Sequence, residues 1–255
     1  QGLPLIVTAW FEGKYGNNFD GGNPQNFQYM LYNGLNVIDY NFDYDGLAYV
    51  CYYANANPEL QPKVRVHFLY GQQNGYLDLS KTNEQMHELT ANAKSMHMDV
   101  LGKKVHCVWE AKALHDYCKA VDGSIGYRQY INVMDSLVIW EHDLLGFKKY
   151  NILPTNRTFA YVNYTYYMFQ GGLGVSFVNG QQSRILNCNQ LINNDDDLIW
   201  GLSHEWGHQH QLHPYFCWGG MTEVTNNMNS YYNIMKMGYH KSEKINNWIP
   251  ARRHF

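Results

Sequence analysis

The sequence predicts an α+β fold, and three observations carry that prediction. Aromatic and β-branched runs separated by turn clusters fill roughly the first eighty residues. Helical periodicity takes over at Thr82 and again at Ser124. Two more helices follow, the first opening on Asp195-Asp196-Asp197 and the second running from Thr222 to Met237.

Taken in order, Leu3 to Phe11 is an apolar strand candidate. Leu47 to Ala54 and Lys63 to Tyr70 are further candidates, the latter with clear alternation. Thr82-x-x-Gln85 fits a capping box, with Met86, Leu89, Ala93 and Met96 at helical spacing behind it. Lys104 to Trp109 reads as a strand. Ser124 to Leu145 is the longest helical pattern, stopped by Gly146. Phe159 to Phe169, Gly174 to Val178 and Arg184 to Cys188 read as extended. The three aspartates place negative charge where a helix dipole favours it, and that helix is expected to run on to about Leu212, before His213-Pro214. Gly238 ends the last helix. No 20-to-50-residue repeat or low-complexity linker divides the 255 residues, so a single domain over 1–255 is expected. It has a β-rich part over about 1–80, a helical and sheet part over about 81–190, and a helical pair over about 195–238.

Composition excludes several classes. Charged residues make up 16% of the chain, against roughly 25% in an average soluble domain. Aromatics are also 16%, with 22 Tyr and 7 Trp, so the polarity comes from amides and hydroxyls rather than ions. A net charge of -3 leaves no basic stripe to neutralise phosphates, which argues against nucleic acid as a partner. No run approaches the ~18 apolar residues of a membrane span. The five cysteines are widely spaced without a C-x-x-C, which disfavours a thiolate metal cluster.

Chemistry concentrates in His204-Glu205-Trp206-Gly207-His208. Residues four apart share a helix face, so both imidazoles can reach one metal ion. Glu205 beside the first of them can take a proton from a water at that ion. A carboxylate follows on the next helix, Glu223. Two His and one Glu leave a coordination position open, as catalytic zinc requires. Asn227, one turn beyond Glu223, can hydrogen-bond a ligand imidazole and fix its tautomer. Gln211, seven residues after His204, reads as a support for the ligands or as a substrate contact. His210 and His213 fall off the His204/His208 face and are read as ordinary histidines.

Together, His204 to Gln211, Trp218 and the run Gly220-Met221-Thr222-Glu223-Val224-Thr225-Asn226-Asn227 resemble the M60-like, enhancin-type zinc metallopeptidases. The sharp match covers about 25 residues, with weaker similarity over most of the chain. The resemblance implies a zincin fold of the gluzincin type, with a twisted sheet and a metal-binding helix. It implies Zn2+ held by His204, His208 and Glu223, and Glu205 as general base and acid. Members include secreted or surface enzymes of mucosal bacteria that cleave mucin-type O-glycoproteins, so a glycoprotein or polypeptide substrate and flanking carbohydrate-binding domains are expected. The chain starts at Gln1 and stops about 30 residues after Glu223, which predicts a catalytic core cut from a longer protein.

Trp218 has two readings, stacking on a sugar or packing the cleft floor. Tyr231 and Tyr232 also have two, a substrate or oxyanion contact or a core position. Gly171-Gly172-Leu173-Gly174 is expected to shape an edge strand along which substrate backbone binds. Two alternatives stay open beside an O-glycopeptidase: a metallopeptidase indifferent to glycans, and an inactive glycoprotein-binding module on the same fold.

Overall fold

The computed structural model describes residues 5–10, 28–38, 47–52, 62–171, 174–211, 217 and 219–239. The chain forms two units. The first comprises Gln1–Asn74 with Ala93–His97, and the second Gly75–Asn92 with Met98–Phe255.

The first unit carries a three-stranded antiparallel sheet. β1 (Leu5–Trp10) lies between β2 (Gln28–Met30) and β3 (Leu47–Tyr52). Leu31 is buried there against Tyr29, Ile38, Val50 and Tyr52. The alternating run Lys63 to Tyr70 is not a strand. It is irregular and exposed at every position, including Phe68 at 69% and Tyr70 at 92%. Alternation yields a strand only where one face is covered, and here neither face is.

The second unit is built on a six-stranded sheet. In sequence order its strands are β4 (Tyr76–Asp78), β5 (His97–Leu101), β6 (Val105–Glu110), β7 (Thr158–Asn163), β8 (Met168–Gly171) and β9 (Gly174–Val178), arranged β4-β5-β6-β7-β9-β8. β4 runs parallel to β5, and β6, β7 and β9 are parallel, while β8 returns antiparallel on β9. Only 102–104 join β5 to β6, a connection too short for anything but a hairpin. The buried Asp135 carboxylate holds that turn, accepting from the backbone N–H groups of Lys103 at 2.7 Å and Lys104 at 2.6 Å.

The helices follow the predicted order with shifted ends. α1 (Asn83–Ala91) starts at the expected capping box, in which Thr82 and Gln85 satisfy each other's backbone. It stops before Ala93, and Met96 is half-exposed. α2 (Ala111–Tyr117) has no counterpart in the sequence reading. α3 (Tyr127–Leu144) buries Tyr130, Ile131, Met134, Leu137 and Val138 in the core, and Gly146 behind it takes a left-handed φ of 75°. Arg184 to Cys188 is not extended: α4 (Gln182–Ile185) occupies its start. The Arg184 guanidinium is held by Asp195 at 2.7 and 2.8 Å, and Gln182 bonds both the backbone and the side chain of Glu110.

α5 (Asp196–His208) opens with the Asp195 carboxylate accepting from the Leu198 N–H at 3.0 Å. It ends four residues earlier than expected, because the Gln209 and His210 N–H groups tighten onto Trp206 and Gly207. α6 (Thr222–Met237) ends on Gly238 at φ 93°, as expected. Its polarity is inverted, however. The buried face is mostly polar, with Thr225, Asn226, Asn229, Ser230 and Asn233, while Met221, Val224 and Met228 are exposed. These amides and hydroxyls bind α5: Asn226 donates to the His204 carbonyl, Ser230 to the Trp200 carbonyl at 3.0 Å, and Asn233 to Ser203 Oγ at 2.9 Å. Among the described residues no helix is long and apolar enough to cross a membrane.

Candidate active site

α5 and α6 bring three predicted side chains to one point. One ligand atom from each of His204, His208 and Glu223 lies within 4.8 Å of the others. Nε2 of His204 is 2.8 Å from Oε2 of Glu223, and Nε2 of His208 is 3.3 Å from the same oxygen. The two imidazoles stand nearly perpendicular, at 87°, as side chains one helical turn apart can.

The remaining ring nitrogens are also engaged. Nδ1 of His204 lies 2.9 Å from Oδ1 of Asn227, and Nδ1 of His208 lies 3.0 Å from Oε1 of Gln211. An amide oxygen only accepts, so each imidazole donates from Nδ1, and an ion at this point would meet Nε2 as the ligand atom. Gln211 reaches this position from beyond the end of α5, not from the helix face, and its amide donates to the Thr222 carbonyl at 2.7 Å. The donor set is two imidazoles and a carboxylate, the pattern used by three-ligand catalytic metal sites. The imidazoles are shielded, with 16% and 10% side-chain exposure, whereas Glu223 is 76% exposed. Burial raises the Glu223 carboxyl. The hydrogen bond to His204 and the nearness of His208 outweigh this, so it sits below the ordinary range.

Glu205 follows His204 on α5 and lies near enough to His208 and Glu223 to feel both. Burial pushes its carboxyl up to about 6; His208 opposes the rise, Glu223 adds to it, and a hydrogen bond from the Gln170 backbone opposes it. That bond ties Glu205 to β8, the terminal strand of the sheet. A cavity of about 270 Å³ opens beside it, lined by Tyr167, Met168, Asp197, Trp200, Gly201, His204, Glu205 and Asn227. Of these, Tyr167, Met168, Asp197, Trp200 and Gly201 escaped the sequence reading. Asp197, Gly201 and His204 recur at helical spacing on one face of α5, a signal present in the sequence; Tyr167 and Met168 arrive only through the sheet. Tyr231 and Tyr232 are half-buried on α6 and do not line the cavity. Trp218 lies outside the described residues.

The profile of peptidase M60, enhancin and enhancin-like proteins matches residues 76–254. The chain belongs to this family. Solved structures agree with the assignment. A metallopeptidase in complex with Tn antigen aligns with a TM-score of 0.72 at 25% identity, over 93% of this chain and 43% of that one. A metallopeptidase from Bacteroides thetaiotaomicron aligns with a TM-score of 0.71 at 24% identity, over 92% of this chain and 38% of that one. The catalytic module of the metalloprotease ZmpA from Clostridium perfringens shares the fold at 13% identity, with a TM-score of 0.62 over 91% of this chain and 48% of that one. This M60 chain thus spans less than half the length of these proteins. Among curated proteins none matches it. The six-stranded mixed sheet with its helices is the metallopeptidase fold expected from the sequence.

Proposed function

We propose that this chain is the catalytic part of a secreted or surface zinc endopeptidase acting on O-glycosylated, mucin-type proteins. The observation that carries the reading is the meeting of His204, His208 and Glu223 beside a Glu205 that lines a cavity. His204, His208 and Glu223 would hold the ion, with Asn227 and Gln211 orienting the two imidazoles. Zinc in such a site supplies Lewis acidity to a scissile carbonyl and makes water nucleophilic near neutral pH.

The rest of the work falls to the chain's own groups. Glu205 takes the proton of the attacking water and returns it to the departing amine; a carboxyl pushed up to about 6 suits both tasks. An extended peptide adds along β8, which ends the sheet next to Glu205. Because Glu205 hands its proton to the amine, the residue following the scissile bond lies nearest to it. The cavity therefore takes that residue's side chain and whatever is attached to it. Trp200 and Tyr167 offer aromatic surface and Asp197 and Asn227 offer hydrogen-bonding groups, the mixture that suits a sugar. The relative solved with Tn antigen supports a glycan on the substrate.

The test is digestion of one peptide in glycosylated and bare forms, with and without a chelator, with product termini mapped by mass spectrometry. Cleavage of the glycosylated form alone, abolished by chelator, is expected. Equal cleavage of both forms would leave a metallopeptidase without glycan preference. Binding without turnover by the zinc-loaded chain would leave a glycoprotein-binding module. Glu205→Gln is expected to keep zinc and lose hydrolysis; normal turnover by this variant would remove Glu205 from the mechanism.

A further inference from the structure

Behind α5, on the side away from the cavity, sits a carboxylate that the proposed chemistry does not use. Glu141 on α3 is fully buried. Its two oxygens serve two different elements. Oε2 lies 2.8 Å from Nδ1 of His210, two residues past His208. Oε1 accepts from the Asn233 amide at 3.2 Å, on α6 ten residues past Glu223. The same amide nitrogen reaches Ser203 Oγ at 2.9 Å, immediately before His204, and the Leu137 carbonyl at 3.2 Å. The other ring nitrogen of His210 lies 3.2 Å from Thr158 Oγ1 on β7 and 3.2 Å from Nε2 of His142.

A buried carboxylate is a poor means of stabilising a core, because its desolvation offsets most of what its partners return, and apolar replacements often do as well. What such a group supplies is registry: it is satisfied in only one arrangement of its partners. Here one partner, Asn233, sits on α6 and the other, His210, lies two residues past the end of α5, and amides and a hydroxyl of α6 bond directly to α5. A functional constellation tolerates displacements of only about 0.5 Å.

We propose that Glu141 is a positioning residue for the metal site. Through His210 it fixes the C-terminal end of α5, through Asn233 it fixes the middle of α6, and it thereby sets where Glu223 stands against His204 and His208. The proposal rests on the reading of those three residues as metal ligands.

The test is zinc affinity of the chain, measured without substrate by competition with a chromophoric chelator well below Tm, alongside kcat and KM on a cleaved peptide. Glu141→Leu fills the space but bonds neither helix. It is expected to raise the zinc Kd at least tenfold and to lower kcat, with KM within twofold of wild type. Glu141→Gln retains an acceptor for Asn233 and a polar partner for His210, and is expected to stay within threefold. A folded Glu141→Leu protein with wild-type zinc affinity overturns the proposal. If that variant does not fold, His210→Gln and Asn233→Ser each sever one arm. Each is then expected to weaken zinc binding severalfold with an unchanged far-UV spectrum, and wild-type affinity in both overturns the proposal equally. A wild-type chain that binds no zinc overturns the ligand reading and this proposal with it; wild-type zinc binding with an unaffected leucine variant overturns this proposal alone.

Discussion

Asn226 occupies the space that a side chain at position 207 would need. A Cβ built on Gly207 would run into Asn226 Oδ1 and come within 2.5 Å of Asn229 Nδ2, while the Asn226 amide donates to the His204 carbonyl. The glycine between Glu205 and His208 is therefore what lets α6 approach closely enough to place Glu223. Gly207→Ala forces the helices apart or breaks the amide bonds. Overpacking of this kind costs about 1–3 kcal/mol. A lowered urea midpoint with weakened zinc binding is expected; an unchanged midpoint would show that the close approach is not needed.

Asn227 and Gln211 each hold the Nδ1 of one imidazole. Freed of that bond, an imidazole can rotate or shift its proton to the nitrogen that should face the ion. Removing such a supporting group lowers metal affinity by about 10–100-fold in metal sites generally. Asn227→Ala and Gln211→Ala are each expected to fall in that range in a competition titration, with stability in excess zinc nearly unchanged. Retained affinity in both would mean that packing alone orients the rings.

The legible part of this site was the part written in local spacing. His204 and His208 one turn apart, Glu223 and Asn227 one turn apart, and Gly238 as a stop all depend on helix geometry, and α6 runs from Thr222 to Met237 as its pattern implies. The first unit shows the limit of such patterns: Lys63 to Tyr70 alternates as a strand should, yet nothing covers either face. Arg184 to Cys188 looked extended because its tertiary partners, Asp195 for Arg184 and Glu110 for the neighbouring Gln182, were invisible. Two of the cavity's eight lining residues were hidden for the same reason, since Tyr167 and Met168 are brought to it by the β8–β9 pairing. The buried partnership of Glu141 with His210 spans 69 residues, and His210 looked unremarkable because it falls off the His204/His208 face.

That buried cluster has a consequence for stability against pH. Burial holds both His142 and His210 down to about 4, with the neighbouring His210 adding to the effect on His142. In the unfolded chain each titrates near 6.5. Between these values the unfolded state binds more protons, so stability is present above about 6.5 and is lost as pH falls towards 4. Glu141, raised by burial, acts with the opposite sign and offsets part of the loss. His142→Phe removes one of the two destabilising titrations. Wild-type stability minus that of the variant should therefore fall as pH drops from 7 to about 4, by up to about 3 kcal/mol. Parallel stability–pH curves would contradict the assignment.

Gly201 lines the cavity beside Glu205 with the Met168 side chain packed against it. A Cβ at Gly201 would lie 2.7 Å from the Met168 sulfur and 2.9 Å from its terminal carbon. A larger side chain there would push the flexible end of Met168 and take up part of the cavity that both residues line. Gly201→Leu leaves the three candidate ligands and Glu205 in place, so zinc affinity should not change. It fills the space assigned to the residue after the scissile bond. Cleavage before a bulky or glycosylated residue should then fall by at least tenfold in kcat/KM, whereas cleavage before glycine should persist. Both substrates must be assayed on zinc-loaded protein, because an equal loss on both would indicate a disturbed active site, and no loss on either would place the substrate side chain elsewhere.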